Sequence, residues 1–507
     1  MPKFKQVPQH PSQVMLFGVS VDESVPANSD VRVLGEVMDL LDWSSIVGSY
    51  SDEGCPAYPP QVMAKILAYA YSNGIRSSRK VEALVENDRR YIWLAGGLRP
   101  DFHTLARFRR DKWDHLVELF EDSVRVCAEF GLVLMNVVSI DGSKVRAKSS
   151  RKAVYNQKRV DRERAQIEKV LREAEEMDRA EDDEFGSSSG RQLPAALSNI
   201  EGRKARLEKA AELLKHSKRK RVVASDPDSR VMKTRESTAP CYNLQAAVDS
   251  QNQVIVGMDV VTNEVDHGLL TEMIQRVEDT IGMSADVTLA DTGYCDEPTL
   301  LAVSSIGRNV LMPPQNGNPE KVEAMFRNAS FVHDETRDVL ICPAGSELVF
   351  QRIRKTASGT YRAYRTRACK NCGFREQCAG GKSSRTVNRS IVWKMRESMR
   401  QRLRTVEGKA QYALRAQSVE PVFGQIKRDM GFERLLLGGL QGAKAELALV
   451  CLVHNVKKCG KRLFQEAKKA QIRARFILWG ATLAGRVAAA LAMPKPHRIG
   501  ARTAVVF

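Results

Sequence analysis

The sequence predicts an α/β protein built on a mixed β-sheet with helices, which two long insertions interrupt. Short apolar runs rich in β-branched residues recur after residue 130, and helical patterns separate several of them. A charged stretch with helical spacing follows the first run, and a basic stretch containing four cysteines follows the last. We interpret both stretches as insertions into the part of the chain that forms the sheet.

The composition is that of a globular protein and excludes a disordered or fibrous one. Of 507 residues, 28% are charged and 43% are hydrophobic, which suggests about three domains of roughly 150 residues each. The 10 cysteines are too sparse for a disulfide scaffold, and the first residues lack the apolar segment of a secretion signal. We therefore expect reduced thiols and a cytoplasmic protein. The apolar stretch at 476–493 contains Arg486 and two glycines, so it predicts a packed helix and no membrane span.

Residues 1–130 predict a helical domain. Pro59 and Pro60 precede an apolar stretch with helical spacing, and Asp101 is placed to cap a later helix. That later helix carries the basic residues Arg107, Arg109, Arg110 and Lys112. A series of short helices, of which the last is rich in basic residues, is typical of a small DNA-binding domain. A helical bundle with a purely structural role fits the pattern equally well.

Five strands are predicted beyond residue 130, at 132–140, 242–248, 254–261, 286–290 and 309–312, with a helix at 267–281. The first strand is expected to end at Asp141, and a long helix is expected from about Ile391 to Met430. The chain then divides into a helical, DNA-binding domain at 1–130, a sheet core at 131–156 and 223–314, a helical hairpin at 157–222, a cysteine-containing insert at 315–390, a helix region at 391–460 and a basic tail at 461–507.

Three carboxylates stand where such a core would present them. Asp141 follows the first strand, Asp291 follows the fourth, and Glu420 lies on the late helix. Open α/β sheets place their sites at the carboxyl ends of strands, and Mg²⁺ takes oxygen ligands. Two such ions about 4 Å apart activate a water or a 3′-hydroxyl for phosphoryl displacement. Taken singly, an aspartate between a strand and a glycine, such as Asp141 before Gly142, is typical of a turn, and Glu420 on a helix is typical of a solvated face.

The residues around Glu420 support the interpretation of the three carboxylates as one site. Lys427 lies seven residues later, two turns along the same helical face, and Tyr412 and Arg415 precede it. A lysine and an arginine beside a catalytic carboxylate could hold substrate phosphates. Asp266, together with Asn263 and Glu264, follows the third strand and is expected near the same edge of the sheet.

Positive charge is concentrated in one window. The formal net charge of the chain is +18, and residues 351–410 hold seventeen basic and three acidic residues, a net +14. Four aromatic residues stand among these charges: Tyr361, Tyr364, Phe374 and Trp393. This pattern predicts a surface that binds a phosphate backbone, whereas evenly solvated helix faces are the plainer alternative.

Four of the cysteines, Cys342, Cys369, Cys372 and Cys378, lie within 37 residues. Cys369 and Cys372 form a C-x-x-C pair, and four thiolates in a reducing compartment fit a tetrahedral structural Zn²⁺ site. Redox chemistry lacks the expected strand and helix context, and four free cysteines remain the plain alternative.

The combination of motifs resembles the DDE transposases of bacterial insertion sequences. The matching segments are Ser139-Ile140-Asp141-Gly142 with Lys144, Ala290-Asp291-Thr292-Gly293-Tyr294, and the set Tyr412, Arg415, Glu420 and Lys427. Four residues separate Arg415 from Glu420, whereas the commonest family pattern has three, a difference of about 100° around a helix. Related transposases with an insert before the Glu helix often carry cysteines there.

The resemblance implies an RNase H-like catalytic core that cleaves DNA at element ends and transfers the strands to target DNA. It implies two Mg²⁺ ions, which Mn²⁺ can replace, held by Asp141, Asp291 and Glu420. It also implies DNA contacts by Lys144, Tyr412, Arg415 and Lys427, a homodimer that pairs two terminal inverted repeats, and a bacterial, nucleoid-associated location. Two alternatives stay open: a non-catalytic zinc-containing DNA-binding protein derived from a transposase, and a structure-specific nuclease.

Overall fold

The protein is described from a computed structural model, which covers residues 20–51, 56–185, 200–234, 237–314, 323–356, 359–380 and 382–467. Residues 186–190, whose glycines and serines predict the turn of the helical hairpin, lie outside these residues, as do the apolar stretch at 476–493 and most of the basic tail. Within them, no helix is both long and apolar enough to cross a membrane.

A mixed sheet occupies the middle of the chain, and its strands are β1 (Val137–Arg146), β4 (Arg230–Lys233), β5 (Thr238–Asp249), β6 (Ile255–Val261), β7 (Val287–Ala290) and β8 (Val310–Leu311). They are arranged in the order β4-β5-β1-β7-β8, and β6 also pairs with β5. β1 runs antiparallel to β5 and parallel to β7, which in turn runs parallel to β8. The five strands that the sequence predicts are all present, and β4 is an additional one.

The prediction that β1 ends at Asp141 is wrong. β1 pairs with β7 only from Val137 to Ile140, but its antiparallel pairing with β5 continues to Arg146. The partner strand supplies backbone hydrogen-bond groups over this whole length, so the Gly142 that suggested a turn lies inside the strand. Asp141 is therefore the first residue of β1 beyond its pairing with β7.

Helices before the sheet form one hydrophobic core with it and with the last described helix. They are α1 (Asp30–Asp39), α2 (Ser44–Gly48), α3 (Pro60–Ser72), α4 (Ser78–Asn87), α5 (Arg89–Ala95), α6 (Phe102–Asp111) and α7 (Trp113–Glu129), and they pack with α15 (Gly439–Ala467). Pro60 begins α3 and Asp101 caps α6 by accepting a hydrogen bond from Thr104 N, as the sequence predicts.

Two helices connect the later strands of the sheet, and the first of them packs on β5 and β6. α10 (Leu269–Ile281) follows β6, and α11 (Glu297–Ile306) follows β7 after a short 3-10 turn at Thr292–Tyr294. α10 buries the stripe that the sequence predicts, including Leu270, Met273 and Val277. These helices bring the chain back so that β7 and β8 can lie parallel to β1.

The charged stretch after β1 forms two antiparallel-paired short strands and two long helices. β2 (Val154–Tyr155) pairs with β3 (Val222–Val223), and α8 (Gln157–Phe185) and α9 (Ile200–His216) lie between them. Val160, Ile167 and Leu207 form a hydrophobic cluster separate from the main core. The helices agree with the predicted helical spacing, and the boundaries of the predicted domains remain a prediction.

The cysteine-containing stretch holds a second sheet that the sequence analysis did not predict. Its order is β13-β12-β11-β10-β9, with β9 (Val332–Asp334), β10 (Val339–Ile341), β11 (Glu347–Thr356), β12 (Gly359–Arg365) and β13 (Thr386–Ser390). A short helix, α12 (Arg375–Ala379), precedes β13. A small core of Phe331, Leu340, Leu348, Tyr364 and Val387 holds the sheet together.

The single long helix predicted from about Ile391 to Met430 is two helices, α13 (Trp393–Arg404) and α14 (Val406–Arg428). Thr405 has an extended backbone and caps α14, because its Oγ1 accepts a hydrogen bond from Gly408 N at 3.0 Å. Gly408 is required at this junction because a Cβ there would lie 1.9 Å from the carbonyl oxygen of Arg402. The chain therefore begins a separate helix, α14, at Val406, and this helix carries Glu420.

A buried ion pair ties the N-terminal helices to the segment that follows α14. Arg76 Nη2 lies 2.9 Å from Glu446 Oε2, and the Glu446 side chain is fully buried. Arg76 also donates to the carbonyl oxygens of Gly431 and Arg434, and Glu446 accepts from the backbone N–H groups of Leu436 and Leu437. The pair therefore fixes residues 431–437 between α14 and α15.

Removing one charge of this pair should be costly, because the other charge stays buried without a partner. We expect Glu446→Gln to lower the free energy of unfolding by about 3–5 kcal/mol in urea titrations. The exposed Glu433, in the same segment, provides the control: Glu433→Gln should change it by no more than about 0.5 kcal/mol. Equal stabilities of the two variants would contradict this role for Glu446.

Candidate active site

A cavity of about 700 Å³ lies between β1, the end of β7 and α14. Three acids and four basic residues from these elements line it, and they are Asp141, Asp291, Glu420, Lys144, Arg146, Arg415 and Lys427. The three carboxylates singled out from the sequence thus share one cavity with three of the four predicted DNA contacts. The exception is Tyr412.

Strand register places Asp141 beside Asp291. Ile140 of β1 lies opposite Ala290 of β7 in the parallel pair, so the residues that follow them emerge side by side where β7 ends. Asp291 then caps the 3-10 turn, because its Oδ1 accepts a hydrogen bond from Gly293 N at 2.7 Å. Asp141 Oδ1 accepts from the N–H group of Gly142 at 2.9 Å.

Alternate residues of β1 face α14. Ser139 Oγ accepts a hydrogen bond from Ser418 Oγ at 2.8 Å, and both serines are fully buried. Ser143 Oγ accepts from Lys427 Nζ at 2.6 Å. Since residues two apart in a strand share a face, Asp141, which lies between these serines, also points at the helix.

A proline in α14 is accommodated by a side chain from the sheet. Pro421 has no N–H group, so the carbonyl oxygen of Gln417 lacks its partner within the helix. Gln253, in the turn between β5 and β6, donates its amide to this oxygen at 2.8 Å. His454 of α15 donates to the carbonyl oxygen of Gln253, and burial lowers the pKa of His454 to about 4. The helix segment carrying Glu420 is therefore fixed against the sheet and α15.

Arg415 bridges two of the three carboxylates. Its Nη2 lies 2.8 Å from Asp141 Oδ2 and its Nη1 lies 3.4 Å from Glu420 Oε1. The Arg415 side chain is 13% exposed and that of Asp141 17%, whereas that of Glu420 is 57% exposed. Arg415 and Glu420 are five residues apart, which turns them by about 140° around the helix. Arg415 can thus face the sheet while Glu420 faces the open side of the cavity.

Burial raises the pKa of Asp141 to about 6, and the negative charge of Asp291 adds to this shift while Arg415 opposes it. The dominant cause is therefore the loss of water around a carboxylate. Two neighbouring carboxylates in such a place require a cation, and in this structure the guanidinium of Arg415 supplies it.

The other two predicted DNA contacts lie at the edges of this arrangement. Lys144 follows on β1, on the cavity wall. Tyr412 packs with Leu403 and Leu414 against the cluster of Val287, Leu289 and Leu311. Burial raises the pKa of Tyr412, and Asp291 and Asp141 raise it further. Its hydroxyl is therefore electrostatically coupled to the acids although the residue does not line the cavity.

Sequence reasoning missed several residues of the cavity wall. Arg146 and Lys233 add positive charge at its rim, and Thr234 and Glu433 complete it. Arg146 is paired in the sheet with Cys241, and Lys233 lies at the end of β4. No local motif marks these residues, because they reach the cavity only through strand pairing.

The oxygen donors of the cavity suit a divalent cation such as Mg²⁺, which prefers carboxylates and retains several waters. Across the described ranges, however, no three His, Cys, Asp or Glu side chains stand close enough together to hold a metal ion. The position of Arg415 gives a physical reason, since its guanidinium separates Asp141 from Glu420. The donor types of the three carboxylates fit such a cation, and Arg415 lies against two of them.

The four predicted zinc ligands gather around one small cavity in the second sheet. Cys342, Cys369, Cys372 and Cys378 all line it, together with Phe326, Phe331 and Phe374. Cys342 Sγ accepts a hydrogen bond from Ser346 N at 3.3 Å, and Cys378 Sγ accepts one from Arg385 Nη1 at 3.5 Å. The donor type suits zinc, although these thiols also stand too far apart at present to enclose a metal.

The basic window is only in part an open surface. Arg362 pairs with Asp338, Lys394 pairs with Glu335, and Arg402 donates to Asn309. In contrast, three basic residues of β11 are exposed: Arg352, Arg354 and Lys355.

The aromatic residues of the window serve packing to a greater degree than the sequence suggested. Tyr364 is fully buried in the second sheet. Phe374 packs on Phe326, and Trp393 lies beneath the guanidinium of Arg389. In α6, Arg109 is likewise buried and donates to the hydroxyl of Tyr71, so this member of the N-terminal basic run has a structural role.

Comparison with known proteins points in one direction. Residues 341–459 match the family model described as "Transposase DDE domain", and residues 19–111 match "Transposase domain (DUF772)". No curated protein matches the chain. A solved synaptic complex of piggyBac transposase with hairpin DNA is similar over 87% of this chain and 75% of that chain, at 9% identity and a TM-score of 0.32. At that TM-score the similarity does not establish a shared fold.

Two glycines provide a stability test of the site geometry. A Cβ on Gly142 would lie 2.5 Å from Asp266 Oδ1 and 2.6 Å from Gln245 Nε2, whereas a Cβ on Gly424 would meet nothing within 4 Å. We expect Gly142→Ala to lower the free energy of unfolding by about 1–3 kcal/mol. Gly424→Ala, in the interior of α14, should leave it unchanged or raise it by up to about 1 kcal/mol. If chemical denaturation shows Gly142→Ala to be as stable as the unchanged protein, the packing beneath Gly142 is not as described.

Proposed function

We propose that this chain, which its two family matches identify as a transposase of the DDE type, cleaves DNA at the ends of an insertion sequence and joins those ends to target DNA. The observation that carries the proposal is the single cavity in which Asp141, Asp291 and Glu420 meet Arg415 and Lys427. Carboxylates alone would repel DNA. A cavity that combines them with basic residues suits a phosphate held next to a bound cation.

Asp141, Asp291 and Glu420 would hold divalent cations, Mg²⁺ by preference with Mn²⁺ as a substitute. When bound, such cations lower the pKa of an attacking water or hydroxyl and stabilise the leaving oxygen of an in-line displacement. Asp141 and Asp291 are positioned by paired strands and Glu420 by a helix fixed through Ser418 and Gln417. Their rigid support keeps the oxygen donors on one side of the substrate phosphate.

The basic residues would orient the DNA backbone. Lys427 is held by Ser143 on the wall of the cavity, two helical turns from Glu420. Arg415, if cations replaced it at Asp141 and Glu420, would be able to pair with a phosphate through its bidentate donor groups. Lys144 and Tyr412 flank these two residues and complete the predicted set of backbone contacts.

The mixed sheet with helices on its faces supports an RNase H-like catalytic core, formed by 131–156, 223–314 and the Glu420 region at 391–460. The division into the six predicted domains, including the inserted helical hairpin and the basic tail, belongs to the same proposal. The proposal also includes a homodimer that brings the two ends of the insertion sequence together.

The β11–β12 hairpin is a candidate for DNA contact beyond the cut. Its exposed residues include Arg352, Arg354 and Lys355, and a two-stranded ribbon of this kind fits the major groove. Thr360 N donates to Glu297 Oε2 at 2.8 Å, which fastens the hairpin next to the helix that follows Asp291. DNA that leaves the cavity on this side would pass along the ribbon.

Cys342, Cys369, Cys372 and Cys378 would hold a structural Zn²⁺ ion in the second sheet. Two strands of this sheet are only three residues long and its hydrophobic core is small, so a tetrahedral thiolate site would add needed stability.

Cleavage of DNA that carries the sequences flanking the reading frame tests the proposal directly. With Mg²⁺, purified protein should nick such an oligonucleotide and join it to a second duplex. Asp141→Asn, Asp291→Asn and Glu420→Gln should each reduce cleavage by at least about 100-fold, because each removes an oxygen charge that faces the metal and the reacting phosphate.

Glu407→Gln is the matched control, since Glu407 is exposed in the first turn of the helix that carries Glu420. It should cleave like the unchanged protein. Full activity of Asp141→Asn would contradict the assigned site, and cleavage without any strand joining would favour the structure-specific nuclease.

Metal analysis tests the zinc site. Protein purified without chelator should contain about one equivalent of Zn²⁺ per chain, because four thiolates saturate its tetrahedral coordination. Cys369→Ser with Cys372→Ser should lose it, whereas Cys241→Ser, at a buried cysteine of β5, should retain it. Less than about half an equivalent in the unchanged protein would count against zinc.

A further inference from the structure

A fourth carboxylate, Asp266, lies beneath the backbone that carries Asp141 and Asp291. A Cβ placed on Gly142 would be 2.5 Å from Asp266 Oδ1, and one placed on Gly293 would be 3.5 Å from Asp266 Oδ2. Gly142 directly follows Asp141, and Gly293 is the residue whose N–H group binds Asp291. The Asp266 carboxylate therefore fills the space between the two segments that present the paired aspartates.

This close approach explains the glycine at 142, whereas the atom nearest to a Cβ on Gly293 would be Asp291 Oδ1, at 2.9 Å. Neither Gly142 nor Gly293 has a positive φ angle, so backbone conformation does not require glycine at either position. Any side chain at Gly142 would displace the carboxylate of Asp266. The glycine after Asp141 thus leaves the space that Asp266 occupies, and Asp266 also lies within van der Waals distance of the place a Cβ on Gly293 would take.

Two amide side chains hold Asp266 in place. Asn243 Nδ2 donates to Asp266 Oδ1 at 2.7 Å and Gln245 Nε2 donates to the same oxygen at 2.9 Å. Both amides come from β5 and are buried, and Gln245 is held in turn by the buried hydroxyl of Tyr294. Among the described residues no lysine, arginine or histidine forms an ion pair with Asp266, and Oδ2 receives no hydrogen bond. A charge fixed in this way, with one oxygen turned toward Gly293, is directed at the aspartate pair.

We propose that Asp266 is a positioning residue that strengthens divalent-cation binding at Asp141 and Asp291, and this inference rests on the proposed function. Mg²⁺ keeps several waters when it binds to protein carboxylates. A further carboxylate behind the ligands adds negative potential and can orient such waters, as groups behind metal ligands commonly do. Asp266 differs from Asp141, which pairs with Arg415, in that no basic side chain in the described part of the chain forms an ion pair with it.

The test measures Mn²⁺ binding to the full-length protein without DNA, by titration calorimetry and by electron paramagnetic resonance of the free ion. Asp266→Asn preserves shape and the capacity to accept the two amide hydrogen bonds while removing the charge. We expect it to weaken the Kd for Mn²⁺ by about 10-fold or more, within the range for residues behind metal ligands. Glu264→Gln, an exposed acid two residues earlier, should bind as the unchanged protein does.

Thermal unfolding of each variant separates a positioning role from a folding role. Affinities are compared at a temperature at which every variant is folded, and Asp266→Ser serves as the second variant if Asp266→Asn does not fold. A Kd within twofold of the unchanged protein for the folded variant overturns the inference.

Asp141→Asn distinguishes this failure from failure of the proposed function. If Asp141→Asn loses Mn²⁺ binding and Asp266→Asn does not, the aspartate site stands and only the role of Asp266 is wrong. If both variants bind Mn²⁺ like the unchanged protein, the proposed metal site itself is wrong.

Discussion

The ion pair between Arg415 and Asp141 joins the sheet to the helix that carries Glu420. A half-buried carboxylate next to a second one is unfavourable unless a cation lies nearby, and burial already raises the pKa of Asp141 to about 6. Arg415 supplies that cation from α14 and also reaches Glu420. The proposed activity places divalent cations beside the same carboxylates, where they would replace the positive charge that Arg415 supplies in this structure.

The rest of the fold holds this strand and this helix together. The buried serines Ser139 and Ser418 meet two residues before Asp141 and Glu420, respectively. Gln253 satisfies the carbonyl group that Pro421 leaves without a partner, and Arg76 with Glu446 fixes the chain after α14. The N-terminal helices and α15 thus act on the site through a small number of buried polar contacts, each of which is costly to break.

The sequence predicted the parts of the fold that depend on local patterns. The apolar runs of β5, β6 and β7 are found because these strands are buried on both faces, and the stripe of α10 is found because one face of that helix is buried. It did not predict that β1 continues past Asp141, since only pairing with β5 reveals this. The second sheet was missed because two of its strands have three residues and β11 is exposed on both faces.

The candidate site also has a part that the sequence predicted and a part that it did not. Asp141, Asp291 and Glu420 were found from their motifs, but the partners that position them are distant in sequence. Helix geometry predicted the angle between Arg415 and Glu420 around the axis of α14. It did not predict which of the two side chains faces the sheet. Asp266 was placed only near the sheet edge, and its approach to Gly142 and Gly293 follows from the turn after β6.

Divalent cations held by Asp141, Asp291 and Glu420 are proposed to replace the Arg415 guanidinium beside Asp141. A crystal structure of the protein soaked in Mn²⁺, with anomalous scattering to locate the ion, tests it most directly. The account predicts an anomalous peak within coordination distance of Asp141 and Asp291, with the Arg415 guanidinium moved away from Asp141. Anomalous density absent from the cavity at saturating Mn²⁺, with Arg415 still paired to Asp141 and Glu420, would contradict it.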